Sequence, residues 1–263
     1  MTQKGDHMNQ LGLSLCSRYA FPPNSLSLCG PNRQSDLAYY STTSTVDKGT
    51  VENLTQFQTL YPYLCLIAGS NNKKDAFDPR VVEAYWIGNS FLNNITIQPS
   101  QTRLTQYDRF LDEVLHINTK IPKKERELLS QKISLGGFPH HAFHVLNIYQ
   151  RTGHVPDTHT IHSMDACIIN WGVVTSINDT SLCIMTSPLR YVDTTLVFGQ
   201  PILREIEHAG KIDKTLATVS IGDTVTYHWG KFCTKINAGE KKRLQFYTIK
   251  AVQFANESSL SVD

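Results

Sequence analysis

The sequence predicts an α+β protein: an N-terminal helical domain followed by a small OB-like β-barrel with a C-terminal helix. The 263 residues are enough for two domains. Apolar residues in the first part recur at three- and four-residue spacing, which is typical of amphipathic helices. After Pro156 the pattern changes to short β-rich runs between turn residues, which favours a small barrel or sandwich. We therefore predict a helical domain at 1–155 and a barrel with its helix at 163–256.

Four segments of the first part predict helices. Asp78 and Pro79 form a capping residue and a first-turn proline ahead of an apolar run, so a helix should begin there. A second helix is expected from Pro122 to the glycine pair at 136–137, and a third around 104–115. The segment 51–68 should also be helical, with a kink or break at Pro62.

The C-terminal part contains several short strand signals. Strands are expected at 168–177, 181–186, 191–192, 196–198, 202–206 and 219–229, with turn residues between them. An amphipathic helix should follow at 237–255, and residues 151–162 form the natural linker between the two domains.

Composition excludes several classes of protein. Twenty-five basic and 23 acidic residues give a net charge of only +2, so we expect no nucleic-acid partner and no membrane-surface partner. No apolar run is long enough to span a bilayer, and residues 1–10 lack the apolar centre of a signal peptide, so we expect a cytoplasmic protein. The six cysteines form no CxxC pair and are interpreted as reduced thiols, mostly buried.

Two motifs of the C-terminal part point to a known family. The first is CIINWGVVTSI at 167–177, a cysteine followed by an apolar strand. The second is IGDTVTYHWGKF at 221–232, a Gly-Asp turn, an alternating strand and then His-x-Gly before an aromatic residue. Together with the helix behind them, they resemble the HypC/HupF family, chaperones that carry iron during [NiFe]-hydrogenase maturation. The resemblance implies an OB-like barrel, and hydrogenase maturation proteins or the hydrogenase large subunit as partners.

The resemblance also selects Cys167 and His228 as metal ligands, with iron as the metal. A thiolate and an imidazole suit a low-spin iron that carries cyanide and carbonyl ligands. Strand alternation places His228 on the face opposite Val225 and Tyr227, away from the more apolar side. The alternative is that Cys167 packs as a small apolar residue and His228 is a polar strand residue. If they share a site, Cys167 Sγ and the His228 ring should lie within about 8 Å, reachable from a surface groove.

The whole chain is similar to an uncharacterised bacterial family associated with hydrogenase gene clusters. The matching stretches are SRYAFPPN at 17–24, CGP at 29–31, DPRVVEAYWIGN at 78–89 and HHAFHV at 140–145. This similarity covers nearly the full length but implies little about mechanism.

A histidine cluster in the helical part is the second candidate site. In GGFPHHAFH at 136–144, a helix starting at Pro139 would place His140 and His144 one turn apart on one face. With His141, they are candidate metal ligands, and at least two of the three should point into one cleft. Glu83 is a candidate carboxylate, although no spacing argument places it nearby. A structural cluster, or a ring nitrogen capping the backbone, explains these histidines equally well.

Cys29, in a turn before Gly30 and Pro31, is a candidate exposed thiol. No phosphate loop and no G-x-S-x-G motif is present, which argues against nucleotide and hydrolase chemistry. Three functions therefore stay open. The protein is an accessory factor in [NiFe]-hydrogenase maturation, a metal- or cofactor-dependent enzyme centred on the histidines, or an interaction module without chemistry.

Overall fold

The structure is a computed structural model that describes residues 3–95, 110–111, 122–148 and 159–257. The described residues form an α+β protein with ten α-helices, a five-stranded sheet, a two-stranded sheet and a C-terminal helix. The helices are α1 (Gln3–Ser25), α2 (Gln34–Thr43), α3 (Lys48–Thr55), α4 (Leu60–Ser70), α5 (Pro79–Trp86), α6 (Phe91–Asn94), α7 (Lys123–Ser134), α8 (His141–Asn147), α9 (Ile161–Cys167) and α10 (Ala238–Asn256).

Local sequence signals determine where several helices begin and end. Asp78 accepts a hydrogen bond from the Arg80 backbone N–H and Pro79 is the first helical residue, so the predicted start of α5 is confirmed. The predicted helix after Pro122 is confirmed as α7. The predicted break within 51–68 is confirmed, but it lies at 56–59 and not at Pro62. Pro62 is in the first turn of α4, where a backbone N–H has no partner within the helix, so proline does not disrupt it. Apart from residues 110–111, the predicted helix at 104–115 lies outside the described residues, and so does the predicted linker up to residue 158. The linker prediction of 151–162 is wrong at its end, because α9 begins at Ile161.

The strands follow the predicted alternation closely. They are β1 (Asn170–Ile177), β2 (Ser181–Thr186), β3 (Leu189–Val192), β4 (Thr195–Phe198), β5 (Ile202–Glu207), β6 (Thr224–His228) and β7 (Lys231–Ile236). β1, β2, β5, β7 and β6 hydrogen-bond in that order, and β1 also pairs with β6. β5 and β7 meet through a single parallel pair, Glu207 with Lys231. β3 and β4 form a separate hairpin.

A two-residue hairpin joins β6 to β7, a strand that the sequence interpretation missed. Its residues, Trp229 and Gly230, both have positive φ, at 49° and 73°. Two positive φ values are the pattern of a type I′ turn, whose twist matches that of the flanking strands. The turn fixes the end of β6, where His228 pairs with Lys231.

The helical and sheet regions share one hydrophobic core. A large buried cluster includes Tyr63 and Phe143 from the helices and also Ile169 and Leu244 from the C-terminal part. A second, smaller cluster lies between the strands and includes Leu182 and Tyr227. The division into units at 1–155 and 163–256 stays a prediction. Among the described residues, no helix is both long and apolar enough to cross a bilayer.

Candidate metal centre

A cavity of about 410 Å³ lies where α1, α5, α8, α9 and the end of β6 meet. Its lining reaches the surface at Gln56 and Gln58, whose side chains are exposed. The side chains in it that can bind a metal or act as nucleophiles are Cys29, His141, His144, His159, Cys167 and His228.

Three of these side chains converge. One ring nitrogen each of His141 and His228 and the sulfur of Cys167 all lie within 4.8 Å of one another. Both histidines are buried and Cys167 is half-buried. The predicted proximity of Cys167 and His228 is therefore confirmed, and both residues line a cavity that opens to the surface.

His228 is held in place from two sides. The Trp229 backbone N–H donates to the Ala166 carbonyl at 2.8 Å, which fastens the β6–β7 turn to α9. The His228 Nδ1–H donates to the Tyr19 carbonyl at 2.8 Å, because a carbonyl oxygen can only accept. The Nε2 atom is buried and has no hydrogen-bond partner among the described residues. Burial lowers the pKa of His228 to about 4, so Nε2 presents a lone pair at neutral pH.

His141 occupies the first turn of α8 and contacts the cysteine's backbone. Its Nε2–H donates to the Cys167 carbonyl at 2.8 Å, and its Nδ1 faces the Tyr85 hydroxyl at 3.1 Å. Burial, and then the neighbouring His228, hold the pKa of His141 well below its usual range. The imidazole is therefore neutral at physiological pH, which is the form that binds metals.

The other two predicted histidines have different roles. His140 is the N-cap of α8, and its Nδ1 accepts the Ala142 backbone N–H at 3.1 Å. The helix thus begins at His141, two residues later than expected, and His140 does not line the cavity. His144 does line it, with Nδ1 at 3.0 Å from the Tyr63 hydroxyl. Burial lowers the pKa of both rings to about 3. The prediction that at least two of the three histidines face one cleft is confirmed for His141 and His144.

The predicted thiol lies in the cavity, whereas the predicted carboxylate lies outside its lining. Cys29 lines the cavity, and burial, followed by the nearby Cys167, raises the pKa of its thiol. Glu83 instead pairs with Arg243 of α10 and accepts a hydrogen bond from Asn89 at 2.8 Å. It fastens α5 to the C-terminal helix. His159, which the sequence interpretation missed, lines the cavity because a capped turn at the start of α9 directs the chain there.

None of the six cysteines forms a disulfide, as expected, but the expectation that most are buried is wrong. Only Cys16 and Cys233 are buried, because the others lie in turns, at a helix end or on partly covered faces.

The donor set fits a transition metal. Ligands of a tetrahedral ion with bond lengths near 2.0–2.3 Å lie roughly 3.3–3.8 Å apart, so contraction by about an ångström would complete the contacts. A metal-bound histidine ordinarily donates its other ring N–H to a carbonyl or carboxylate, as His228 does to Tyr19. Three protein ligands leave a fourth position open toward the cavity.

Comparison with known families gives one result. The model for a family described as "Family of unknown function (DUF6390)" matches residues 8–261, so the chain belongs to that family. No curated protein and no solved structure matches the chain.

Proposed function

We propose that this protein binds a transition metal through His141, Cys167 and His228 and acts as an accessory factor in [NiFe]-hydrogenase maturation. The observation that carries the metal site is the convergence of three ligand atoms, one each from His141, Cys167 and His228, within 4.8 Å of one another. In addition, the Nε2 atom of His228 is buried with no hydrogen bond to a described residue. Leaving such a nitrogen unsatisfied costs about 1–3 kcal/mol, and a metal ion would relieve that cost.

Iron is the metal we propose, since one thiolate and two imidazoles are donors that it accepts. Such a bound ion would supply a position at which a further ligand, or a ligand precursor, can be held. The role in hydrogenase maturation rests on the resemblance of the motifs at 167–177 and 221–232 to HypC/HupF chaperones. The same resemblance leads us to propose that the five-stranded sheet is an OB-like barrel.

The proposed partners are hydrogenase maturation proteins or the hydrogenase large subunit. Two large apolar side chains of α10, Phe246 and Ile249, are 56% and 45% exposed. Apolar side chains presented on a helix next to a barrel suit a protein partner. We place the partner contact on this side of α10.

A metal-dependent enzyme is the second candidate. The observation that favours it is the cavity itself, since about 410 Å³ beside an open coordination position exceeds what an ion alone needs. In that case His144 and His159, which line the same cavity, are the groups placed to hold or move a proton.

Metal titration of anaerobically purified protein tests the proposal. We expect one iron or cobalt ion per chain, with a thiolate-to-cobalt charge-transfer band that Cys167→Ser abolishes. Cys183→Ser, a half-buried cysteine of β2 outside the cavity, is the matched control and should keep the band. Absence of stoichiometric binding would reject the metal site.

Complementation in the host separates the two functions. As an accessory factor, the protein carrying Cys167→Ser should fail to restore hydrogenase activity, whereas Cys183→Ser should restore it. Loss of metal binding with full hydrogenase activity would reject the maturation role and favour the enzyme.

A further inference from the structure

We infer that the cavity binds a small organic molecule with an apolar body and a single anionic donor atom, a thiolate in the best case, which occupies the open position of the metal. This inference rests on the proposed metal site and names the class of ligand that reaches it.

The walls of the cavity carry no formal charge. None of the described residues that line it is Asp, Glu, Lys or Arg. Apolar residues form a large part of the wall, among them Pro23, Leu28, Pro31, Phe57, Leu60 and Val145. A second charged group on the ligand would have to leave water without a counter-charge, which costs several kcal/mol.

The size and depth of the cavity suit a molecule rather than a lone ion or water. Binding sites for small organic molecules occupy roughly 300–1,000 Å³, and this cavity has about 410 Å³. Gln56 and Gln58 of the lining are exposed, whereas His141 and His228 are buried. A molecule that fills this cavity contacts both apolar wall and the three metal-binding side chains.

The net charge of the metal with its three protein ligands determines which donor atom of a small molecule binds best. A divalent ion held by one thiolate and two neutral imidazoles keeps one net positive charge, so one anionic donor neutralises the buried centre. Sulfur matches the softness that the cysteine ligand already gives the site. Neutral apolar molecules lack a donor, and dianions bring an uncompensated charge, so both should bind less tightly than a monothiol.

The test uses the cobalt-loaded protein and two thiols with the same donor atom. Phenylmethanethiol has an apolar body, whereas mercaptosuccinate carries two carboxylates. We expect phenylmethanethiol to shift the cobalt visible bands with a dissociation constant at least tenfold lower, while metal analysis shows that cobalt stays bound. Equal affinities, or tighter binding of mercaptosuccinate, would overturn the inference.

A charge placed on the wall gives an independent readout. Leu28→Glu should weaken phenylmethanethiol binding at least tenfold without removing the cobalt bands. Leu26→Glu is the matched control, because Leu26 lies two residues away, is 49% exposed and is not in the lining. Unchanged thiol binding in Leu28→Glu contradicts the inference. Failure of cobalt to bind the wild type would overturn the metal site as well, whereas cobalt binding without discrimination between the thiols overturns the ligand class alone.

Discussion

Asp165 and Cys167 lie two residues apart on helix α9, and their surroundings differ. Asp165 accepts the Leu189 backbone N–H at 2.7 Å and pairs with Arg204 at 2.9 Å. Arg204 also donates to the Tyr227 hydroxyl at 3.1 Å. Every polar group in this network meets another polar group of the protein, so the network fastens α9 to the strands and to the β3–β4 hairpin.

Two residues further along, Cys167 lies beside two histidines at the cavity. Its sulfur lies within 4.8 Å of one ring nitrogen each of His141 and His228, and all three side chains line the cavity. Groups that pair with one another in a closed network hold a fold together. Side chains whose metal-binding atoms converge at a cavity are what a ligand site requires.

The largest expected effect is on the free energy of unfolding, and it comes from replacing Asp165. Asp165→Ala leaves Arg204, half-buried, without its carboxylate and leaves the Leu189 N–H unpaired, so the free energy of unfolding should fall by about 3 kcal/mol. Urea unfolding measures it, with the exposed Asp179→Ala as control. A loss below 1 kcal/mol would mean that the network is not structural.

On the cavity side, Cys167→Ser should change metal binding far more than stability. A serine hydroxyl is a much poorer ligand than a thiolate for a soft or borderline ion, so affinity should fall on the order of 100-fold, about 2.7 kcal/mol. Competition with a chromophoric chelator measures the affinity, and Cys183→Ser should match the wild type. If Asp165→Ala lowered metal affinity as much as Cys167→Ser does, Asp165 and Cys167 would not differ in role.

Acid should destabilise the protein through its buried histidines. Their folded pKa values are depressed, to about 3 for His140, so the unfolded chain takes up protons below its own pKa of about 6.5 while the native state does not. Stability is thus fully present above about pH 6.5 and falls as pH decreases toward 3, by about 2 kcal/mol per such histidine between pH 7 and pH 5.

His140→Asn isolates one histidine, because asparagine keeps an N-cap acceptor for α8 and does not titrate. Unfolding free energies at pH 7 and pH 5 should differ less in this variant, by about 2 kcal/mol. His162→Asn, on an exposed part of α9, is the control. An unchanged pH dependence in His140→Asn would show that His140 is protonated in the native state.

The smallest expected effect is on metal affinity, and it comes from the two tyrosine hydroxyls that contact His141 and His144. Tyr85→Phe removes the hydroxyl 3.1 Å from His141 Nδ1, the ring nitrogen left for a metal because Nε2–H donates to the Cys167 carbonyl. Metal binding should strengthen about fivefold, since a hydrogen bond worth about 1 kcal/mol no longer competes for that nitrogen. Tyr63→Phe removes the equivalent contact to His144 and should leave affinity unchanged. The reverse result would assign the third ligand to His144.

Local signals account for the parts of the fold that the sequence predicted. β2 has the predicted limits, 181–186, and α10 begins directly after Asn237, close to the predicted start at 237. The Asn237 side chain caps this helix. The expectation that His228 lies away from the apolar side is wrong, because its ring is buried with the Trp86 ring 5.9 Å away. Alternation did place His228 and Tyr227 on opposite faces of β6, since His228 contacts Tyr19 of α1 while Tyr227 belongs to the smaller core cluster between the strands. These features depend on neighbours within a few residues along the chain.

The sequence by itself determined the α+β class and the approximate limits of most strands. The resemblance of its motifs selected Cys167 and His228 as candidate ligands. Only the tertiary structure decided that His141, rather than His140, joins them. That choice depends on where α8 begins: the His140 ring accepts a hydrogen bond that caps the helix, whereas the His141 ring donates to the Cys167 carbonyl. It depends equally on the contact of the β6–β7 turn with α9, between residues more than sixty positions apart. Such contacts follow from packing of the shared core, which no local pattern in the sequence specifies.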